Sequence, residues 1–247
     1  MNPGVWKKFI KTKERFRVYA EEISSSLPFL KDIQQEFADS RSKVSYKIQT
    51  PVVYNTALDD ITVNDKIKLI LVADNPGRRE QAAENRRYLV GPSGKIADRF
   101  FKNNPSLGIE FYKNVIILNK TPIHSPRTIE LRELCRTEKA GETLSQALMD
   151  SQKFMADLLL EFYDLFTCPV WIIGYSEMKR KGLFEVYTER LKEISGKNIE
   201  FYKQLNFFRH FSMNQFTIDL KQKSLNGETV EKTLKKIGKA YRERILG

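Results

Sequence analysis

Three short apolar runs constrain this chain more than anything else in it. They are Lys66–Asp74 (KIKLILVAD), Asn114–Asn119 (NVIILN) and Pro169–Gly174 (PVWIIG). Each is too short for an ordinary globular helix. Each is bounded by turn residues and is apolar without alternation, the pattern of a strand covered on both faces. A fourth strand is expected at Asn198–Leu205. Between the strands lie helical patterns. Ser93 is expected to cap a helix that puts Ile96, Ala97, Phe100 and Phe101 on one face. A long helix is expected from about Ser145 to Phe166, another after a capping Ser176, and a closing one with Val230, Leu234, Ile237, Tyr241 and Ile245 on its face. Strands alternating with helices require crossover connections. The expected fold is therefore α/β, a three-layer α/β/α sandwich around a central, mostly parallel four-stranded sheet. The chain reads as a single domain over 1–247 with a helical N-terminal extension of about 1–65. In that extension Phe16, Tyr19 and Ile23, then Leu30, Ile33 and Phe37, recur at helical spacing across a break at Ser24–Pro28.

Composition narrows the function classes. The 247 residues are 41% hydrophobic and 30% charged, enough for a full core. No apolar run approaches the roughly 20 residues of a membrane span. The first residues, MNPGVWKKF, carry no signal-type apolar core, so a cytoplasmic, non-membrane protein is expected. Two cysteines, Cys135 and Cys168, lie far apart, which argues against a disulfide scaffold or a four-cysteine metal site. No cofactor and no metal are expected. Net charge is +11, and from Ser176 onward 16 Lys and Arg face 9 Asp and Glu, so +7 of it lies there. Such an excess suits a polyanionic partner.

In parallel sheets ligands bind beyond the carboxyl ends of the strands. Four segments lie there. Asp74–Gly77 (DNPG) is a sharp turn in which Pro76 fixes one backbone angle and Gly77 is free to take a left-handed one. It presents Asp74 and Asn75 to the crevice. GPSGK, Gly91–Lys95, lacks the Walker pattern, since Leu89 and Ile96 stand where glycine and Ser or Thr are needed. Its N–H groups near Ser93 still form an anion-binding helix start. Asn119 ends the second strand with an amide able to donate and accept at once, while His124 reads as an ordinary loop histidine. FFRHFSMNQF places Arg209, His210, Ser212 and Met213 among aromatics, either as a DNA-contacting loop or as an amphipathic strand or loop.

Taken in order, these segments resemble the uracil-DNA glycosylase superfamily. ADNPG, Ala73–Gly77, is similar to the family's GEAPG, GINPG and GQDPY forms. YLVGPSG, Tyr88–Gly94, is similar to the PFVGxAG stretch of its thermostable branch. IILN ending at Asn119 is similar to the family's LLLN, and HFS at His210–Ser212 stands for its His-Pro-Ser motif. The similarity runs from about Lys66 to Phe216. Ala73 replaces the first glycine of the pattern, Leu89 a Phe that stacks on uracil, and Phe211 the proline of the histidine motif. The thermostable branch carries an iron–sulfur cluster on four cysteines, which this chain does not have, so the resemblance is to a divergent, cluster-free member.

The resemblance implies a monomeric DNA glycosylase that flips a uracil or related damaged pyrimidine from DNA and hydrolyses its N-glycosidic bond. Asn119 would read the base, with Leu89, Gly77 and Ser93 around it. Asn75 would position the water, with Asp74 as rival. His210 would stabilise charge on the departing base. Met213 would wedge into the duplex, with Arg209 and Ser212 on the phosphates. Two alternatives stand beside it: an inactive nucleic-acid-binding protein of the same fold, and an unrelated α/β enzyme that acts on nucleotides or other small phosphorylated molecules.

Overall fold

The computed structural model describes residues 1–41 and 45–247. Its centre is a four-stranded parallel sheet of β1 (Leu69–Ala73), β2 (Val115–Asn119), β3 (Val170–Ile173) and β4 (Leu205–Phe208), in the order β2-β1-β3-β4. Every residue of β1, β2 and β3 is buried, as their uninterrupted apolar character requires. The pairing is in register from Leu69 opposite Val115 to Ala73 opposite Asn119, so both strands end on the same rung.

The helices are α1 (Pro3–Ser26), α2 (Leu30–Arg41), α3 (Pro92–Asn103), α4 (Phe111–Asn114), α5 (Thr128–Leu134), α6 (Gly141–Phe166), α7 (Glu185–Lys197), α8 (Ile199–Gln204), α9 (Gln215–Lys223) and α10 (Val230–Leu246). They cover both faces of the sheet, giving three layers. The face carrying Trp171 and Phe208 lies under α3 and α9, where Phe100, Phe101 and Phe216 stack around the indole. On the other face Lys120 reaches Phe184, and the Thr121 and Ser151 hydroxyls bond at 2.7 Å, linking the end of β2 to α6. Helix α1 starts at Pro3, with the Asn2 side chain accepting from the Val5 N–H at 2.8 Å, and it ends before Pro28 as expected. Phe9, Phe16, Leu30 and Ile33 are buried in the same core as the sheet, so the first two helices are part of the main packing unit.

Four local expectations are corrected. The fourth strand is not Asn198–Leu205 but Leu205–Phe208, because the Asn198 side chain accepts from the Phe201 N–H at 3.0 Å and starts α8 instead. Ser93 does not cap α3, whose N-cap is Gly91 with Pro92 at the first position. Ser176 lies inside a short 3-10 turn, and α7 begins only at Glu185. The long helix starts four residues before Ser145, at Gly141. Both cysteines are free. Among the described residues no helix is long and apolar enough to cross a membrane.

Candidate active site

A cavity of about 620 Å³ opens at the carboxyl ends of β1 and β3, and the segments singled out from the sequence converge on it. Asp74, Asn75 and Gly77 come from the turn after β1, Leu89 and Ser93 from the entry to α3, Gly174 from the end of β3, and His210 and Ser212 from the loop after β4. Parallel strands end at one edge, so loops distant in sequence meet there.

The turn after β1 is rigidly held. Asp74 Oδ1 accepts from Lys120 Nζ at 2.6 Å, and Nζ also donates to the Ile173 carbonyl at 2.7 Å. The Lys120 side chain is completely buried, and burial pulls its pKa below the usual lysine value, opposed by the Asp74 charge. Gly174 makes this arrangement fit: its φ is +79°, and a Cβ there would lie 2.4 Å from Asp74 Oδ1. Asn75 donates to the Ser125 carbonyl at 3.0 Å and hydroxyl at 3.1 Å, and its Oδ1 accepts from the Thr128 hydroxyl at 3.1 Å. His124 is fully buried and structural. Its Nδ1–H donates to the Pro76 carbonyl at 2.8 Å, which leaves Nε2 to accept from Tyr46 at 3.2 Å, and burial pushes its pKa down to about 4. Gly77 keeps a negative φ, so the left-handed turn expected of it is not used.

Glu80 closes the turn on the next loop. Its carboxylate accepts from the Gly77 N–H at 3.1 Å and the Leu89 N–H at 3.0 Å, and burial pushes its pKa up to about 7. Leu89 is buried with φ +53°, a costly conformation for a branched side chain. Its carbonyl lies against Gly94, where any Cβ would clash at 1.4 Å. Glycine is thus demanded at Gly94 by the backbone of Leu89.

His210 lines the far wall. The Ser212 backbone N–H donates to its Nδ1 at 3.1 Å, so the neutral ring carries its proton on Nε2, free to donate. Burial lowers its pKa, offset by the Asp74 charge. Beyond it Met213 is 80% exposed with φ +51°, an apolar side chain thrust into solvent from a strained backbone. Arg209 is exposed and bonds to Gln215 at 2.8 Å.

Asn119 is in a different state. It shares a rung with Ala73, which lines the cavity, but its side chain sits behind that wall at 1% exposure. Neither Nδ2 nor Oδ1 has a hydrogen-bond partner among the described residues.

Nothing in the sequence marks Glu80, Lys120 or the cavity-lining arginines Arg78, Arg79 and Arg127 as site residues. Charged residues in a loop read as solvated surface, and only the fold shows that two of them are buried. The lining is mixed in charge, since Asp74, Glu80 and Glu177 stand beside these arginines and Arg127 is paired with Glu130 at 2.6 Å. Among the described residues no three His, Cys, Asp or Glu side chains group as a metal site. No protein-family model matches the chain, and no curated protein matches it.

Proposed function

We propose that this chain is a DNA glycosylase that releases uracil or a related damaged pyrimidine by hydrolysis after base flipping. The observation that carries the reading is the buried amide of Asn119 at the end of β2, which has no partner among the described residues and lies on the same rung as Ala73 in the cavity wall. Buried amides are normally satisfied, and leaving one bare costs about 1–3 kcal/mol per group. A pyrimidine edge presents the donor and acceptor that would satisfy it, once Leu89 and its strained loop move aside for the base.

The chemistry follows from the groups around the cavity. Asn75 has its amide engaged by Ser125 and Thr128, so its part is to hold the turn. Asp74, 15% exposed and fixed by Lys120, is the acceptor for water. A water oxygen attacks the sugar carbon and gives its proton to Asp74. The N-glycosidic electron pair leaves with the base, and the Nε2–H of neutral His210 stabilises the resulting anion. Arg78, Arg79, Arg127 and Arg209 hold phosphates, while Met213 fills the gap in the duplex.

The experiment is incubation with labelled DNA carrying one uracil opposite G, opposite A or in a single strand, followed by alkali. Alkali-dependent breakage at the uracil is expected. Salt-sensitive DNA binding without breakage would favour the second reading, an inactive nucleic-acid binder, which the sealing of Asn119 behind Ala73 supports.

A further inference from the structure

A second cleft, of about 520 Å³, runs over the sheet face carrying Trp171, between β3, β4 and the last helix. Trp171 pairs with Leu71 on one side and Asn206 on the other, so Leu69 and Phe208, two residues along, share that face and form an apolar floor. Helix α10 makes the wall. It lies so close to β4 that a Cβ on Gly238 would come 2.6 Å from the Asn206 side chain.

The wall is basic. Lys235, Lys239 and Arg242 recur at helical spacing along one stripe of α10, and Lys203 adds a fourth cation. Lys203 is paired with Glu200 at 2.8 Å and Lys239 with Glu243 at 3.8 Å, exposed pairs of little net strength. The one carboxylate of the lining, Glu231, is held by Ser106, which keeps its pKa below the usual glutamate range. Arg242 is the decisive residue. It is 7% exposed, and its Nη1 donates to the carbonyls of Tyr202, Lys203 and Leu205. Its Nε is buried with no hydrogen-bond partner among the described residues, and the guanidinium lies over the Tyr202 ring at 4.4 Å. A buried guanidinium N–H without an acceptor, beside an apolar floor and exposed lysines, points to a ligand anion.

We propose that this cleft binds a small amphipathic anion: a flat apolar body against Trp171 and Phe208, and a carboxylate, sulfonate or phosphate held by Lys235, Lys239 and the Arg242 Nε–H. The cleft reaches from Leu69 and Pro169 at the amino ends of the strands to Phe208, whereas the DNPG cavity lies beyond the carboxyl ends of β1 and β3, and no residue lines both. The two sites stand or fall separately.

The test uses the full chain carrying Trp6→Phe, which leaves Trp171 as its only tryptophan. Titration with 8-anilinonaphthalene-1-sulfonate is expected to quench Trp171 emission saturably, with energy transfer to the dye. Naphthalene-1-sulfonate should compete, and uncharged naphthalen-1-ol should compete far less well. Replacing both exposed lysines, Lys235→Gln with Lys239→Gln, should raise the Kd about tenfold, one charge-assisted contact's worth. Arg242 is left intact because it ties three carbonyls together. Non-saturable quenching, equal competition by naphthalen-1-ol, or an unchanged Kd in the folded double variant would each overturn the proposal. The competition in the parent chain decides it even if the variant does not fold.

Discussion

Two neighbouring positions at the end of the same strands are built in opposite ways. Asp74 meets Lys120, and every polar atom there has a partner: a carboxylate at 2.6 Å, a carbonyl at 2.7 Å, and a glycine that leaves room for both. Ala73 meets Asn119, and there the amide has no hydrogen-bond partner among the described residues. The first pair is explained by the fold that contains it. The second is not, since a buried amide with empty hydrogen-bonding capacity destabilises the molecule unless something else uses it. The fold satisfies the buried Lys120 and leaves the adjacent Asn119 without a partner among the described residues, which is the contrast on which the proposed function rests.

Removing Lys120 has the largest expected effect on the satisfied pair. Lys120→Met leaves the Asp74 carboxylate without its cation and is expected to destabilise by about 3–5 kcal/mol, read by urea unfolding. A loss below about 1 kcal/mol would mean that solvent, not Lys120, satisfies Asp74. Gly174→Ala comes next. It forces a Cβ into the left-handed region and onto the Asp74 carboxylate, at a cost of at least about 1–2 kcal/mol in the same unfolding experiment.

Two buried titratable groups beside these rungs make opposite pH contributions. His124 stays neutral in the folded chain down to about 4, while the unfolded chain takes up the proton near 6.5, so its share of stability is lost as pH falls through that window. Glu80 keeps its proton in the folded chain up to about 7 and loses it near 4.5 when unfolded, so stability is lost as pH rises between those values. Glu80→Gln removes the second effect alone. The stability of the variant relative to the parent should therefore climb between pH 4.5 and 7, by at most about 1.4 kcal/mol per pH unit. A difference that stays flat with pH would show that Glu80 is ionised throughout. The smallest effect is expected for Met213→Ala. An 80% exposed side chain contributes within about 0.5 kcal/mol to stability, and its loss should appear only as weaker binding to duplex DNA.

The sequence and the structure agree where burial is complete. Strands β1, β2 and β3 are uninterrupted apolar runs, and nothing but a covered parallel sheet explains three of them with helices between. The fourth strand was misplaced by most of its length because NIEFYKQLNFF is apolar at both strand and helix spacing, and the Asn198 cap decides between them. The serine caps failed for a related reason. Gly91 and Pro92 start α3 through backbone geometry, with Pro92 at the first helical position, so Ser93 falls inside the helix and not at its cap. At the candidate site, Asn119, His210 and the DNPG turn were legible as polar residues stranded at strand ends. Lys120 and Glu80 were not, since nothing local distinguishes a buried charge from a solvated one. Their partners lie 46 residues away for Lys120, at Asp74, and in backbone N–H groups for Glu80.

The central claim is that Asn119 is kept for a ligand and not for the fold, and one paired measurement on Asn119→Ala tests it: thermal unfolding alongside alkali-revealed release of uracil from labelled DNA. The claim predicts a stability equal to or above the parent's, since no native hydrogen bond is lost and two bare polar atoms are removed, together with base release slowed by about 100-fold or more. Release at the parental rate, or a loss of stability large enough to explain the loss of release, would contradict it.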